Sequence, residues 1–109
     1  MHIDLPEKRY YKIGEVAKAF SVNTSLIRFW EKEFEIIKPK KNAKGNRLFT
    51  PSDIENFKLI FRLVKEQGYT LEGAKQKLKE NPDGVMKNHQ IISRLEAIKL
   101  ELIKIKNQL

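Results

Sequence analysis

Apolar positions along the chain repeat at helical spacing in short blocks separated by polar breaks. Ile13, Val16, Ala17 and Phe20 fall at i, i+3, i+4 and i+7, which predicts a helix over 13–20. The aromatic pair in Tyr10-Tyr11-Lys12 just before it favours a short strand. After Ser21-Val22-Asn23 a second helix starts near Asn23 or Thr24, both good N-caps, with Ile27, Trp30 and Phe34 on its apolar face. A break this short between two helices is the spacing of a helix-turn-helix unit. Phe29 and Trp30 are adjacent and cannot share one face; the spacing from Ile27 and Phe34 favours Trp30 as the core residue.

Beyond that unit, Gly45-Asn46 is a hairpin-type turn pair, with Ile36-Ile37 and Leu48-Phe49 as candidate strand ends. Thr50-Pro51-Ser52-Asp53 combines an N-cap threonine, a proline at the first helical position and an acid in the first turn. The helix it opens carries Ile54, Phe57, Phe61 and Val64 on one stripe and ends at Gly68 in a left-handed conformation. Thr70 caps a shorter helix whose Leu71, Ala74 and Leu78 face inward. Asn81-Pro82-Asp83-Gly84 is a breaker cluster. After it Ile91, Leu95, Ile98, Leu102, Ile105 and Leu109 recur at alternating intervals of four and three, a heptad seam. Such a stripe is unstable in water unless something covers it, and a second copy of the same helix is the natural cover, so these six residues are the candidate dimerisation set.

The expected organisation is a loose arm over 1–9, a domain over 10–80, a linker over 81–84 and a dimerisation helix over 85–109. The fold class is mainly all-α, with one small β-hairpin.

Composition narrows the partners. Twenty-two Lys and Arg against 14 Asp and Glu give the 109-residue chain a formal charge of +8. That favours nucleic acid first and an anionic membrane surface second. The chain has no cysteine, which removes disulfides, thiolate metal sites and cysteine nucleophiles together. Its two histidines, His2 and His89, stand far apart, and there is no Gly-rich phosphate loop or nucleophile–histidine pairing. No reaction, cofactor or metal is assigned. No apolar run approaches the ~18 residues of a membrane span, and no signal peptide opens the chain, so a cytoplasmic location on the bacterial nucleoid is expected.

The binding signals are more specific. The second helix of a helix-turn-helix presents its N-terminal side chains to base edges in the major groove. Here these are Asn23, Thr24 and Ser25, one of which is expected to cap the helix, then Arg28, which suits bidentate bonding to guanine. Arg28 could instead form a surface ion pair with Glu31. Glu31, Glu33 and Glu35 read as a solvated helix face. The run 38–47 holds Lys38, Lys40, Lys41, Lys44 and Arg47, with Asn46 in its turn and no acid. A projecting basic hairpin of this kind can lie along a phosphate backbone.

Several of these pieces resemble a known family. Tyr11-Lys12-Ile13-Gly14-Glu15-Val16-Ala17, then Val22, then Ile27-Arg28-Phe29-Trp30-Glu31 is similar to the N-terminal signature of the MerR family of transcription regulators. Gly45-Asn46-Arg47-Leu48-Phe49, Thr50-Pro51-Ser52-Asp53-Ile54 and Gly68-Tyr69-Thr70-Leu71-Glu72 follow in the family's order. The resemblance implies a winged helix-turn-helix that binds double-stranded DNA as a homodimer through an antiparallel coiled coil. It also implies pseudo-palindromic promoter sites and RNA polymerase as a further partner, with Arg28, Phe29 and the wing around Arg47 on the DNA.

The chain departs from the family pattern at several positions. Phe29 and Trp30 stand where tyrosines are usual, which removes two hydroxyls. Ser21 replaces a turn glycine, Leu26 a common threonine, and Phe34 a glycine after the recognition helix. The effector domain that normally follows the coiled coil is not in this sequence, which fits either a minimal regulator or part of a longer one. Two other readings keep some of these features: an architectural, excisionase-like DNA-binding protein, and a helical protein-interaction adaptor.

Overall fold

The computed structural model describes residues 3–109; Met1 and His2, at the start of the predicted arm, lie outside the described residues. The chain forms two compact units, Ile3–Phe61 and Arg62–Leu109.

The first unit opens with a stretch, 3–10, that has neither helix nor strand. It is tied down rather than loose. The Tyr11 hydroxyl donates to the Pro6 carbonyl at 2.7 Å and accepts from the Lys8 amide at 3.2 Å. Lys8 Nζ also meets both oxygens of Glu15 at 2.8 Å. The strand expected at 10–12 shrinks to one antiparallel bridge between Tyr11 and Phe49.

Helix α1 (Ile13–Phe20) has the predicted bounds, and Glu15 reaches back to accept from the Lys12 amide at its start. Ser21 ends it in the left-handed region, φ 57° and ψ 43°, where glycine is the usual occupant. This geometry lets the Val22 amide close onto the Ala17 carbonyl at 2.9 Å and aims the chain into α2 (Thr24–Glu33).

Helix α2 is anchored by Ile27 and Trp30, both buried, while Phe29 is exposed, so Trp30 is the core member of the aromatic pair. Phe34 follows in extended backbone (φ −113°) and is itself buried. Glycine is therefore not needed at this exit.

Strands β1 (Lys40–Lys41) and β2 (Arg47–Leu48) pair antiparallel, Lys40 opposite Leu48 and Lys41 opposite Arg47. The expected strand end at Ile36-Ile37 is not extended pairing. Ile37 is buried in the core, and the hairpin starts three residues later. Helix α3 (Pro51–Phe61) begins as predicted, with Thr50 and Asp53 capping each other: the Asp53 amide donates to Thr50 Oγ1, and the Thr50 amide donates to Asp53 Oδ2. The buried Asp53 carboxylate also accepts the Lys38 amide at 3.0 Å, which fixes the base of the hairpin to the start of α3. Edge-on aromatic contacts fill the core: Phe49–Phe57 at 5.5 Å, Phe20–Phe57 at 6.2 Å and Trp30–Phe61 at 6.3 Å between ring centroids.

The second unit starts with a π-helical turn, Arg62–Glu66. Its wider winding brings Arg62 and Leu63 into the buried set and leaves Val64, expected on the inner stripe, half-buried. Gly68 at φ 75° then reverses the chain. Helix α4 (Leu71–Glu80) is capped by Thr70 Oγ1 accepting from the Gly73 amide, and Ala74 is its buried residue.

Helix α5 (Pro82–Gln108) begins inside the stretch expected to be a linker, because Asn81 acts as its N-cap and Pro82 takes the first helical position. Asn81 Oδ1 accepts from the Gly84 amide, and a Cβ at 84 would collide with the Asn81 side chain. The breaker cluster is thus a helix start that leaves only Asn81 outside helix. With 27 residues, α5 is about 40 Å long. No helix among the described residues is long and apolar enough to cross a membrane.

Candidate nucleic-acid interface

The interface candidates on α2 sort by their burial. Ile27 and Trp30 point inward; Asn23, Ser25, Arg28 and Phe29 are exposed and Thr24 is half-buried. Asn23 stands at the N-cap position but makes no side-chain capping bond, so the expected cap duty does not occupy its amide. Asn23, Ser25, Val22, Leu26 and Phe29 together line an open groove along the outer side of the helix-turn-helix.

The predicted basic residues of the wing separate into two roles. Lys38, Lys40, Lys41 and Lys44 are exposed, as is Asn46. Lys40 Nζ lies 5.9 Å from the centre of the Tyr10 ring, a cation–π contact that orients the lysine stem. Arg47, by contrast, is half-buried, and its Nε donates to both Glu31 oxygens, at 2.8 and 3.0 Å. The pairing expected as an alternative for Arg28 is therefore taken by Arg47, and Arg28 stays on the surface.

Sequence reasoning missed three residues. Asn42 builds the wing tip: its Oδ1 accepts from the amides of Lys44 and Asn46, and its own amide donates to the Asn46 carbonyl. Gly45, at φ 80°, completes that turn. An asparagine three residues before a glycine is a turn signature that could have located it. Glu31 braces the wing, a role its spacing does not reveal. Arg62 carried no signal at all in a lysine- and arginine-rich chain.

In the second unit the buried Arg62 donates from Nε to His89 Nδ1 at 3.1 Å and from its terminal nitrogens to Glu96 at 2.8 Å and Glu66 at 3.4 Å. Burial pushes the Glu96 carboxyl up, hydrogen bonding and charge, those of Arg62 foremost among them, pull it down, and the net shift is downward. The heptad residues Ile91, Leu95, Ile98, Leu102, Ile105 and Leu109 are 52% to 102% exposed.

Comparison with known proteins places the chain. The family model of the MerR HTH family regulatory proteins matches residues 11–81. The transcriptional regulator MlrA of Salmonella typhimurium (strain SL1344) is 30% identical over 86 residues, covering 75% of this chain and 35% of MlrA. ZntR of Escherichia coli (strain K12) is 35% identical over 68 residues, covering 62% of this chain and 48% of ZntR. The chain thus spans between about a third and a half of these relatives' lengths. Among solved structures, HiNmlR, a MerR family regulator lacking the sensor domain and bound to promoter DNA, aligns with a TM-score of 0.56 at 21% identity over 89% of this chain and 86% of its own. A MerR family regulator from Bacillus thuringiensis aligns with a TM-score of 0.54 at 24% identity, over 91% and 96%. These last two likenesses speak to the fold. The matched family segment takes in both helices of the helix-turn-helix, the wing, α3 and α4, and the protein belongs to the MerR HTH regulatory protein family.

Proposed function

We propose that the chain is a sequence-specific DNA-binding transcription regulator that acts as a homodimer on a pseudo-palindromic promoter site. Helix α2 enters the major groove, and Asn23, Thr24, Ser25, Arg28 and Phe29 meet the bases or their flanking phosphates. Lys38, Lys40, Lys41, Lys44 and Asn46 of the wing lie on the sugar-phosphate backbone, and Arg47 holds the wing against α2. A second copy covers the exposed seam of α5 in an antiparallel coiled coil. RNA polymerase at the promoter is the further partner, and the site of action is the cytoplasmic nucleoid.

The observation that carries this reading is the sidedness of α2. Its apolar residues Ile27 and Trp30 hold the helix from beneath, while its polar N-terminal residues and Arg28 remain on the surface beside an acid-free basic hairpin. The relatives' printed roles as transcriptional regulators support it. Selecting bound duplexes from random DNA tests it: a motif with two-fold symmetry is expected, because site symmetry mirrors protein symmetry. Recovery of no preferred duplex would overturn the reading.

A further inference from the structure

The outer side of α2 carries apolar surface that hydrogen-bonded readout does not use. Phe29 is 43% exposed and Leu26 is half-buried, and both line the groove that also holds Val22, Asn23 and Ser25. Leu26 and Phe29 are i, i+3 neighbours on the surface of α2, and Val22 reaches the same groove from the turn that precedes the helix. Core packing does not explain Phe29, because Trp30 takes the inward position beside it. Neither side chain has a donor, so neither can bond a phosphate or a base edge. Among the base-edge groups of the major groove, the apolar one is the C5 methyl of thymine. Arg28 on the same helix, the exposed wing lysines and the net charge of +8 favour a polyanion over an apolar protein surface as the occupant.

We infer that Leu26 and Phe29 are specificity-determining residues that read thymine methyl groups, so that each half-site requires thymine where it faces this groove. The inference rests on the DNA-binding reading above. Asn23, at the end of the same groove, adds a side chain able to bond adenine through two atoms, which fits an A·T-rich stretch under the helix start.

The test uses the full chain and a duplex recovered by selection, rebuilt with deoxyuridine in place of thymidine at one position at a time. That exchange removes a methyl group and nothing else. At one or two thymines of each half-site the affinity should fall about fourfold, the value of one buried methyl (about 0.8 kcal/mol). Phe29→Ala, at an exposed position and expected to keep its circular dichroism, should bind the thymine duplex more weakly and lose the distinction from uracil at the thymine that Phe29 faces. Equal binding of thymine and uracil duplexes at every position overturns the inference, as does a Phe29→Ala protein that still discriminates them at every position where the wild type does. In both cases the selected duplex is still bound, so the DNA-binding reading survives; failure to select any duplex removes both.

Discussion

The Nε of Arg47 sits between the two carboxylate oxygens of Glu31, joining the second strand of the wing to the helix whose outer face carries Arg28 and Phe29. The pair is partly exposed and contributes up to about 1 kcal/mol to stability. Its larger effect is to set where the wing stands. Arg47 is already neutralised, so Arg47→Ala should weaken DNA binding through wing position while leaving the salt dependence nearly unchanged. Lys44→Ala removes an exposed charge at the wing tip and should lower the slope of log K against log salt by about 0.9, one phosphate's worth. Titrations at several salt concentrations separate the two; equal slope changes would put Arg47 on the phosphate backbone with Lys44.

Arg28→Ala should behave differently from any wing variant. A bidentate contact to a base discriminates by about 1–3 kcal/mol, so the preferred duplex should lose that affinity while random duplex is bound nearly as before. Competition binding with the two duplexes measures it. An equal loss on both would make Arg28 a phosphate contact.

Ser21 offers a test of the turn on its own. Its left-handed backbone costs an L-residue roughly 1–2 kcal/mol, against the 0.5–1 kcal/mol of extra chain entropy that glycine loses on folding. Ser21→Gly should therefore stabilise the protein slightly, by about 0.5 kcal/mol, visible as a rise of a few degrees in Tm. A fall in Tm would mean that the serine side chain contributes something its backbone geometry does not reveal.

How far the sequence revealed this molecule depended on whether a feature was local. The bounds of α1, the Thr50 cap, the left-handed Gly68 and the inward Trp30 follow from spacing and capping chemistry within a few residues, and all are found. The cluster 81–84 was misleading because Asn-Pro signals a helix start as well as a break, and with α4 ending at Glu80 the start prevailed. The strand ends at Ile36-Ile37 failed because burial of Ile37 competed with pairing. The Glu31–Arg47 brace and the bonds of Arg62 to His89 and Glu96 join residues 16 to 34 positions apart, and no periodicity encodes such pairs. Exposure of Phe29 followed from the inward Trp30; its groove with Leu26 and Val22 required the turn geometry at Ser21.

The seam of α5 predicts an assembly that a single substitution dissolves. Leu95, Ile98 and Leu102 are more than half exposed, so an acidic side chain at 102 is tolerated in one chain and disfavoured only where two helices meet. Leu102→Glu should leave the amide-exchange protection of the first unit unchanged, give a monomer by equilibrium sedimentation and weaken binding to a two-fold symmetric duplex by at least tenfold, since half-sites are then bound singly. A monomeric wild-type protein at tens of micromolar would defeat the homodimer and favour a different helical partner for the seam.

The Arg62 cluster makes the second unit sensitive to acid, with a sign fixed by the downward shift at Glu96. In the unfolded chain this carboxyl titrates near its ordinary value of 4.5; in the folded protein it holds its charge to lower pH. Its stabilisation is therefore complete above that value and is lost as pH falls through the folded pKa beneath it. Glu15, lowered by its hydrogen bonds to Lys8 and the Lys12 amide, shifts in the same direction in the first unit. Tm measured between about pH 6 and 3 should fall more gently for Glu96→Gln than for the wild type, because the amide keeps a hydrogen bond to Arg62 but has no proton to gain. Arg62→Ala removes the buried cation that faces the partly exposed Glu96 and Glu66 and the buried His89 and should cost about 1.5–3 kcal/mol at neutral pH, the range for losing a hydrogen bond to a charged group. Parallel pH profiles for wild type and Glu96→Gln would show that the charge on Glu96 contributes nothing to the folded state.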